Sequence, residues 1–200
     1  MTRSRAAVAG AAWLALAHPA EAHIVGSRLG DFYAGAQHPL TTVEDVLLWL
    51  AIGLLAGTQQ GASARLLVLL FPAGLLLGLL TGLGITPIGS QLADAVMMAA
   101  LGGMLALGRK LPEWLIGGVA VLLAFLRGLA NAAGAVPGTN RVLFAAGFVL
   151  AGYATITLAM GAAAAFRRAE FGWRAIAVRA TGSWIAAIGI MFGSYALAVR

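Results

Sequence analysis

Six long apolar stretches constrain this chain more than any other feature. They lie at roughly 42–58, 64–83, 89–107, 112–133, 142–165 and 178–198. Each is close to the roughly 20 residues that an α-helix needs to cross the hydrocarbon of a bilayer. The chain is 61% hydrophobic and only 10% charged, whereas about a quarter of the residues of a soluble domain are charged. We therefore predict an all-α, polytopic membrane protein built as a bundle of six transmembrane helices.

The first 22 residues have the pattern of an export signal. Arg3 and Arg5 precede a short apolar run at 6–17, and Ala20-Glu21-Ala22 provides a small-x-small cleavage site. Cleavage there would leave a mature chain that begins at His23 on the outer face of a bacterial inner membrane; the alternative is an uncleaved helix. The predicted division is a signal peptide at 1–22, an outer N-terminal segment at 23–41 and a six-helix transmembrane domain at 42–200.

The basic residues predict the orientation of the bundle. With the mature N-terminus outside, the inner loops and helix ends are richer in Lys and Arg than the outer ones, as the positive-inside rule requires. The inner set is Arg65, Arg109, Lys110, Arg167, Arg168, Arg174 and Arg179, and the outer set is Arg28, Arg141 and Arg200. Six helices return the C-terminus to the outside. The net charge of +6 lies in these short loops, so we expect the lipid bilayer, and not nucleic acid, as the partner.

Glycines at fixed spacing predict close helix packing. Gly74, Gly78 and Gly82 recur every four residues, and Gly189 and Gly193 repeat the spacing near the C-terminus. Small residues at this interval let helix backbones approach closely in lipid. Packing within the chain is the favoured interpretation, and a homo-oligomer is the alternative.

Polar side chains inside the apolar stretches are the candidates for function. Ionisable residues within a membrane are costly and therefore mark functional sites. If the first helix began near Pro39, a histidine just before it would share a face with a carboxylate seven residues later. We predict a polar transport cluster at a similar outer depth, composed of His38, Glu44, Asp45, Asp94, Arg127 and Asn131.

The two acidic residues at the helix mouths also have structural interpretations. Thr41-Thr42-Val43-Glu44 has the form of a capping box, so Glu44 could satisfy only the free amides at the helix start. Asp94 could reach the outer headgroup region.

The basic and amide members have structural alternatives as well. Arg127 lies too deep to remain unpaired, so a salt bridge with Asp45 is the alternative to a transport role. Asn131 could join two helices by a hydrogen bond.

Two histidines suggest a metal site. An N-terminal His23 would offer its amine and its imidazole together, and His38 could add a third nitrogen; imidazole suits Ni, Cu, Zn and Co. The candidate ligands are thus His23, His38 and Asp45, and solvated loop histidines are the alternative. The chain has no cysteine, which excludes disulfides, thiolate metal sites and iron–sulfur clusters. It also lacks a Walker loop, HExxH and GxSxG, so we predict no enzyme and no resident cofactor; a transported divalent metal ion is the one candidate ligand.

Several segments resemble one known family. A signal ending in Ala22-His23, the segment Gly35-Ala36-Gln37-His38-Pro39 and a helix with an acidic pair at its mouth are similar to the HupE/UreJ family. These are small integral membrane proteins associated with nickel or cobalt uptake for hydrogenase and urease. The similarity continues at Pro87, Gly128-Leu129-Ala130, Gly147-Phe148-Val149-Leu150-Ala151 and 182–189.

The departures from the family pattern fall on its metal-binding residues. The family's first helix has histidine, five residues, aspartate and histidine; here Glu44 and Asp45 occupy the last two places after His38. The fourth-helix pattern Phe-His-Gly-x-Ala-His-Gly-x-Glu has Arg127 and Asn131 in place of both histidines. The resemblance therefore implies the scaffold of the family with a degenerate nickel site.

Three functions follow. The leading one is a permease that moves a metal cation or another small solute inward, because the resemblance spans the chain. The second is a non-transporting membrane subunit or assembly protein that binds a larger complex. The third is a proton-coupled or anion carrier in which Arg127 contacts the substrate.

Overall fold

The computed structural model describes residues 29–59, 62–83, 91–168 and 172–199. Within these ranges the chain forms seven α-helices and no strand, which confirms the all-helical class. The helices are α1 (Gly30–Leu40), α2 (Val43–Thr58), α3 (Ala62–Gly82), α4 (Gln91–Leu107), α5 (Glu113–Asn131), α6 (Arg141–Arg168) and α7 (Gly172–Ala198), with a short 3-10 turn at Ala132–Gly134. The predicted signal peptide at 1–22 and His23 lie outside the described residues.

Three of these helices are long and apolar enough to cross a membrane. They are α5 together with its 3-10 turn, α6 over Arg141–Phe166, and α7. The pair α1 and α2 would make a fourth span if it is counted as one broken segment, bent by 74°. Leu66–Gly82 of α3 and the whole of α4 are shorter apolar helices. The described residues therefore carry three or four candidate spans, where the sequence predicted six.

The first predicted helix does not begin near Pro39. Instead, α1 continues through Pro39 to Leu40, and the chain turns sharply before α2 begins at Val43. The expectation that His38 and Asp45 share a face of one helix is therefore wrong, because the two residues belong to different helices on either side of the bend.

The threonines between α1 and α2 also correct the capping-box interpretation of Glu44. Thr42 is the N-cap of α2 but makes no side-chain cap hydrogen bond. Its hydroxyl donates backwards to the carbonyl oxygen of His38 at 2.9 Å, and the Thr41 hydroxyl donates to the same oxygen at 3.0 Å. The threonines therefore satisfy the end of α1, and Glu44 is not part of a cap.

Glycines bring the helix backbones into contact, as their spacing predicts. A Cβ at Gly78 of α3 would overlap the main chain of Phe125 on α5, and one at Gly128 of α5 would overlap the main chain of Leu75 on α3. Gly102 of α4 and Gly182 of α7 face each other's helix in the same way. The predicted packing within the chain is confirmed for Gly74, Gly78 and Gly82, which face α5 and the turn after it, and for Gly189, which faces α4. The homo-oligomer stays a prediction.

Helix α2 lies at the centre of this arrangement. Its Trp49 is completely buried and packs edge-on against Phe71 of α3 and Phe148 of α6, with ring centroids 6.1 Å and 5.7 Å away. We call the end of the bundle where α2 and α4 begin the Asp45 end, and the opposite end the Gln59 end. Because α2 is enclosed by its neighbours, an ionised side chain on its core-facing side is strongly unfavourable unless it is paired within the bundle.

Candidate functional site: a buried arginine–carboxylate cluster

A fully buried carboxylate lies in the first turn of α2. The side chain of Asp45 is 0% exposed. It shares a helical face with the core residues Leu48, Trp49 and Ile52, which follow it at intervals of three, four and seven residues. The helical period of α2 therefore turns this carboxylate into the protein, where an unpaired charge would be strongly unfavourable.

Arg127 supplies the opposite charge from α5. Its Nε donates a hydrogen bond to Oδ1 of Asp45 at 2.7 Å, and its Nη1 donates to Oδ1 of Asp94 at 2.6 Å. The Arg127 side chain is only 6% exposed, while that of Asp94 is 17% exposed. Hydrogen bonds between ionised partners are roughly twice as strong as neutral ones. One guanidinium therefore ties α2, α4 and α5 together.

Asn131 completes the environment of Asp45. It lies one turn after Arg127, and its Nδ2 donates to Oδ1 and Oδ2 of Asp45 at 3.2 Å and 3.0 Å. The same amide nitrogen donates to the carbonyl oxygen of Arg127 at 2.8 Å. Both carboxylate oxygens of Asp45 thus accept hydrogen bonds from α5.

The cluster carries excess negative charge. Asp45 and Asp94 together hold two formal negative charges against the single positive charge of Arg127. Glu44 is half-buried and close enough for its charge to repel that of Asp94, but it makes no hydrogen bond with the described residues. The uncompensated charge therefore lies on the partly exposed side of the cluster, where a cation or a proton would be attracted.

His38 lies at the same end of the bundle but outside the cluster. Its imidazole contacts Gly134 in the turn after α5, and its ring centroid is 6.2 Å from that of Phe144 on α6. In the part of the chain that the structure describes, no three His, Asp or Glu side chains form a group that could hold a metal ion. The ligand set of His23, His38 and Asp45 stays a prediction, because His23 is not described.

The structure thus brings together four of the six predicted cluster residues. Asp45, Asp94, Arg127 and Asn131 are in contact, and Glu44 and His38 flank them. The sequence reasoning missed a second polar location, a cavity at the Gln59 end. Its signal was present in the basic residues Arg109, Lys110 and Arg179, which the sequence analysis used only to predict the orientation.

Comparison with protein families shows what this chain is. The sequence model of the family described as HupE / UreJ protein matches residues 6–192, nearly the whole chain. The chain belongs to the HupE/UreJ family. Comparisons with curated proteins and with solved structures gave no match. Membership confirms the resemblance and implies a membrane protein of the nickel- or cobalt-uptake type.

Two α5 residues that donate to Asp45 are the ones that the resemblance aligns with histidines. Arg127 and Asn131 both donate to Asp45, and by the resemblance they take the places of the two histidines in the pattern of the fourth predicted transmembrane helix, which is α5. Arginine keeps its proton under all ordinary conditions and has no lone pair to offer a metal. A divalent cation that used Asp45 would therefore have to displace the Arg127 guanidinium.

Proposed function

We propose that this HupE/UreJ protein is an inner-membrane permease that moves a small solute, with a metal cation as the leading candidate, from the outer to the inner face. The observation that carries the proposal is the fully buried Asp45, held by Arg127 within a cluster of net negative charge. Ionisable side chains inside membrane bundles are costly and are typically retained along substrate and ion pathways.

The proposed topology has six crossings, α2 to α7, with the Asp45 end outside. Helix α4 has 17 residues, which span about 25 Å at 1.5 Å per residue and nearly match the hydrocarbon thickness of about 30 Å. Basic side chains support the orientation. Those described at the Gln59 end are Arg109, Lys110, Arg174 and Arg179, against Arg141 at the Asp45 end. The positive-inside rule then makes the Gln59 end cytoplasmic.

In this proposal Arg127 acts as an internal counter-ion. An entering cation would compete with the guanidinium for the carboxylates of Asp45 and Asp94, so each passage requires Arg127 to give up one of its two partners. Oxygen donors favour hard cations over nickel, which prefers imidazole among protein ligands. We therefore expect weak nickel binding and a preference for a hard divalent cation or a proton.

The test is uptake by the purified protein reconstituted in liposomes. Magnesium, calcium, manganese, iron, cobalt, nickel, copper and zinc are presented singly to wild type, Asp45→Asn and Arg127→Lys, and proton entry is followed with a pH-sensitive dye inside the liposomes. Asp45→Asn keeps the shape of the side chain but removes its charge, so saturable uptake should disappear. Arg141→Gln, which removes an exposed arginine outside the cluster, is the matched control and should transport normally. Absence of flux for every ion, or unchanged flux in Asp45→Asn, would contradict the permease proposal.

A second candidate is a non-transporting membrane subunit. The observation in its favour is that both oxygens of Asp45 already accept hydrogen bonds from Arg127 and Asn131. A cluster satisfied in this way needs no ligand, and its sole role could be to join α2, α4 and α5. In that case a well-folded wild-type sample shows no flux, Arg127→Ala loses the fold, and a stoichiometric membrane partner is recovered with the protein.

A further inference from the structure

A cavity of about 280 Å³ opens at the Gln59 end of the bundle. It lies between the last turn of α2, the end of α4 with its following loop, and the first turns of α7. Its buried part is apolar, with Leu55 and Leu105 only 2% exposed. Its exposed part carries three cations, Arg109, Lys110 and Arg179. The cavity therefore combines an apolar floor with a strongly positive rim.

The guanidinium of Arg179 is held in a fixed position at this rim. Its Nε donates to the carbonyl oxygen of Ala106 at 2.8 Å, near the end of α4. The side chain lies across Gly108, whose φ is +62° and whose missing Cβ would come 3.1 Å from Cδ of Arg179. Because Nε is already engaged, the two terminal amino groups of the guanidinium are left to bind a ligand.

The loop that carries the other two cations is held in place by a glutamine. Nε2 of Gln59 donates to the carbonyl oxygen of Arg109 at 3.2 Å, and Oε1 of Gln59 accepts from the backbone N–H of Leu111 at 3.2 Å. The loop that carries Arg109 and Lys110 is thereby fastened to the end of α2. Three positive charges therefore line one cavity, and none of them is paired with a carboxylate of the described residues.

We propose that this cavity binds a phosphate group. Arginine presents a planar set of donors that matches phosphate oxygens, and lysine adds a point charge. The volume suits a small anionic group rather than a large ligand. The apolar floor favours a phosphate carried by an anionic phospholipid, since basic pockets between transmembrane helices on the cytoplasmic side bind such headgroups. A soluble phosphate would use the same three cations.

The test uses the full chain in nanodiscs of neutral phosphatidylcholine. Phosphatidylglycerol is added in increasing mole fraction in one series, and inorganic phosphate is added to the buffer in the other. Bound lipid is counted by native mass spectrometry, and phosphate binding is followed by the shift in thermal unfolding temperature. We expect saturable binding of one phosphate group per chain. Binding of phosphatidylglycerol alone identifies the membrane as the source, and binding of inorganic phosphate identifies a soluble one.

The variants distinguish a built site from diffuse positive charge. Arg179→Gln and Lys110→Gln should each weaken binding about tenfold or more, because each removes charge-assisted hydrogen bonds. Arg179→Lys keeps the charge but cannot keep the Nε anchor, and we expect it to bind more weakly than wild type. The control is Arg141→Gln, which removes a cation at the opposite end and should bind as wild type does.

Two results would overturn the proposal. One is the absence of saturable binding in both series. The other is an equal loss of affinity in Arg141→Gln and in the cavity variants, which would indicate a general electrostatic attraction to the protein. If Arg179→Gln fails to fold, Lys110→Gln decides the question, since the Lys110 side chain makes no hydrogen bond with the described residues.

Discussion

Removing Arg127 alone should cost more stability than removing both charges of the Asp45–Arg127 pair together. Arg127→Met leaves the fully buried Asp45 with only the amide of Asn131 as a donor. Loss of one partner of a buried ion pair typically costs about 3–5 kcal/mol. Asp45→Asn should cost less, about 1.5–3 kcal/mol, because Arg127 keeps its 2.6 Å contact with Asp94.

The double variant measures the coupling. In Asp45→Asn/Arg127→Met neither buried charge remains between α2 and α5, and the partly exposed Asp94 can be hydrated. If the two single effects were independent, their sum would be about 4.5–8 kcal/mol. We expect the double variant to lose no more than about 3 kcal/mol, so that the interaction energy is about 1.5 kcal/mol or more.

The assay is reversible unfolding in mixed micelles of increasing SDS fraction, followed by far-ultraviolet circular dichroism and tryptophan fluorescence. Trp49, one turn after Asp45 and completely buried, places one fluorophore close to the perturbation. Arg141→Gln is the control for loss of a positive charge outside the cluster. Effects that add to within about 0.5 kcal/mol would refute the reasoning, as would a cost below about 1 kcal/mol for Arg127→Met.

Three further predictions follow from the same geometry. Gly78→Ala should lower the free energy of unfolding by about 1–3 kcal/mol, because its Cβ would overlap the main chain of α5. Gly103→Ala is the control in the same unfolding assay. It should be neutral or slightly stabilising, because the space around its Cβ is open. Gly108→Ala should cost about 1–2 kcal/mol because φ at this position is +62°, and the phosphate affinity of the Gln59 end should fall with it. Arg127→His/Asn131→His, which restores two imidazoles, should raise nickel retention in equilibrium dialysis at least tenfold over wild type; unchanged retention would show that the fourth-helix positions do not determine nickel binding.

Much of the cluster could be predicted from single residues, but its pairing could not. Arg127 stands out because it interrupts an apolar run, and the one-turn spacing places Asn131 on the same face. Glu44 and Asp45 are adjacent and equally acidic, so their composition alone does not show which one is buried. The period of Leu48 and Ile52 does not distinguish them, because Glu44 precedes these residues by four and eight positions and Asp45 by three and seven. Which of the two is buried depends on how α2 is rotated against α5. The choice of Asp94 as the second partner depends on how α4 is rotated, which neighbouring helices determine.

Helix α1 shows why local propensity can fail at an element boundary. Its 11 residues include two glycines and a proline, which are the weakest helix formers. The sequence predicts an outer N-terminal segment at 23–41 and no helix in it. In the structure, Gly35 contacts the main chain of Phe144 and Gly147 contacts that of Phe32, so α1 lies directly on α6. Gly35, which weakens the isolated helix, is also the residue of α1 that permits this contact.

The two polar locations are joined by the same pair of helices. Helix α2 begins beside the buried carboxylate cluster and ends at the cationic cavity, about 20 Å apart at 1.5 Å per residue, and α4 runs alongside from Asp94 to the loop of Arg109. A cation drawn to the negative Asp45 end would meet the three positive charges that line the cavity at the Gln59 end. A phosphate group bound there would neutralise much of that barrier. If both proposals hold, a phosphate group bound in this cavity should therefore favour inward cation movement, and the same arginines and lysine that support the proposed orientation also regulate transport.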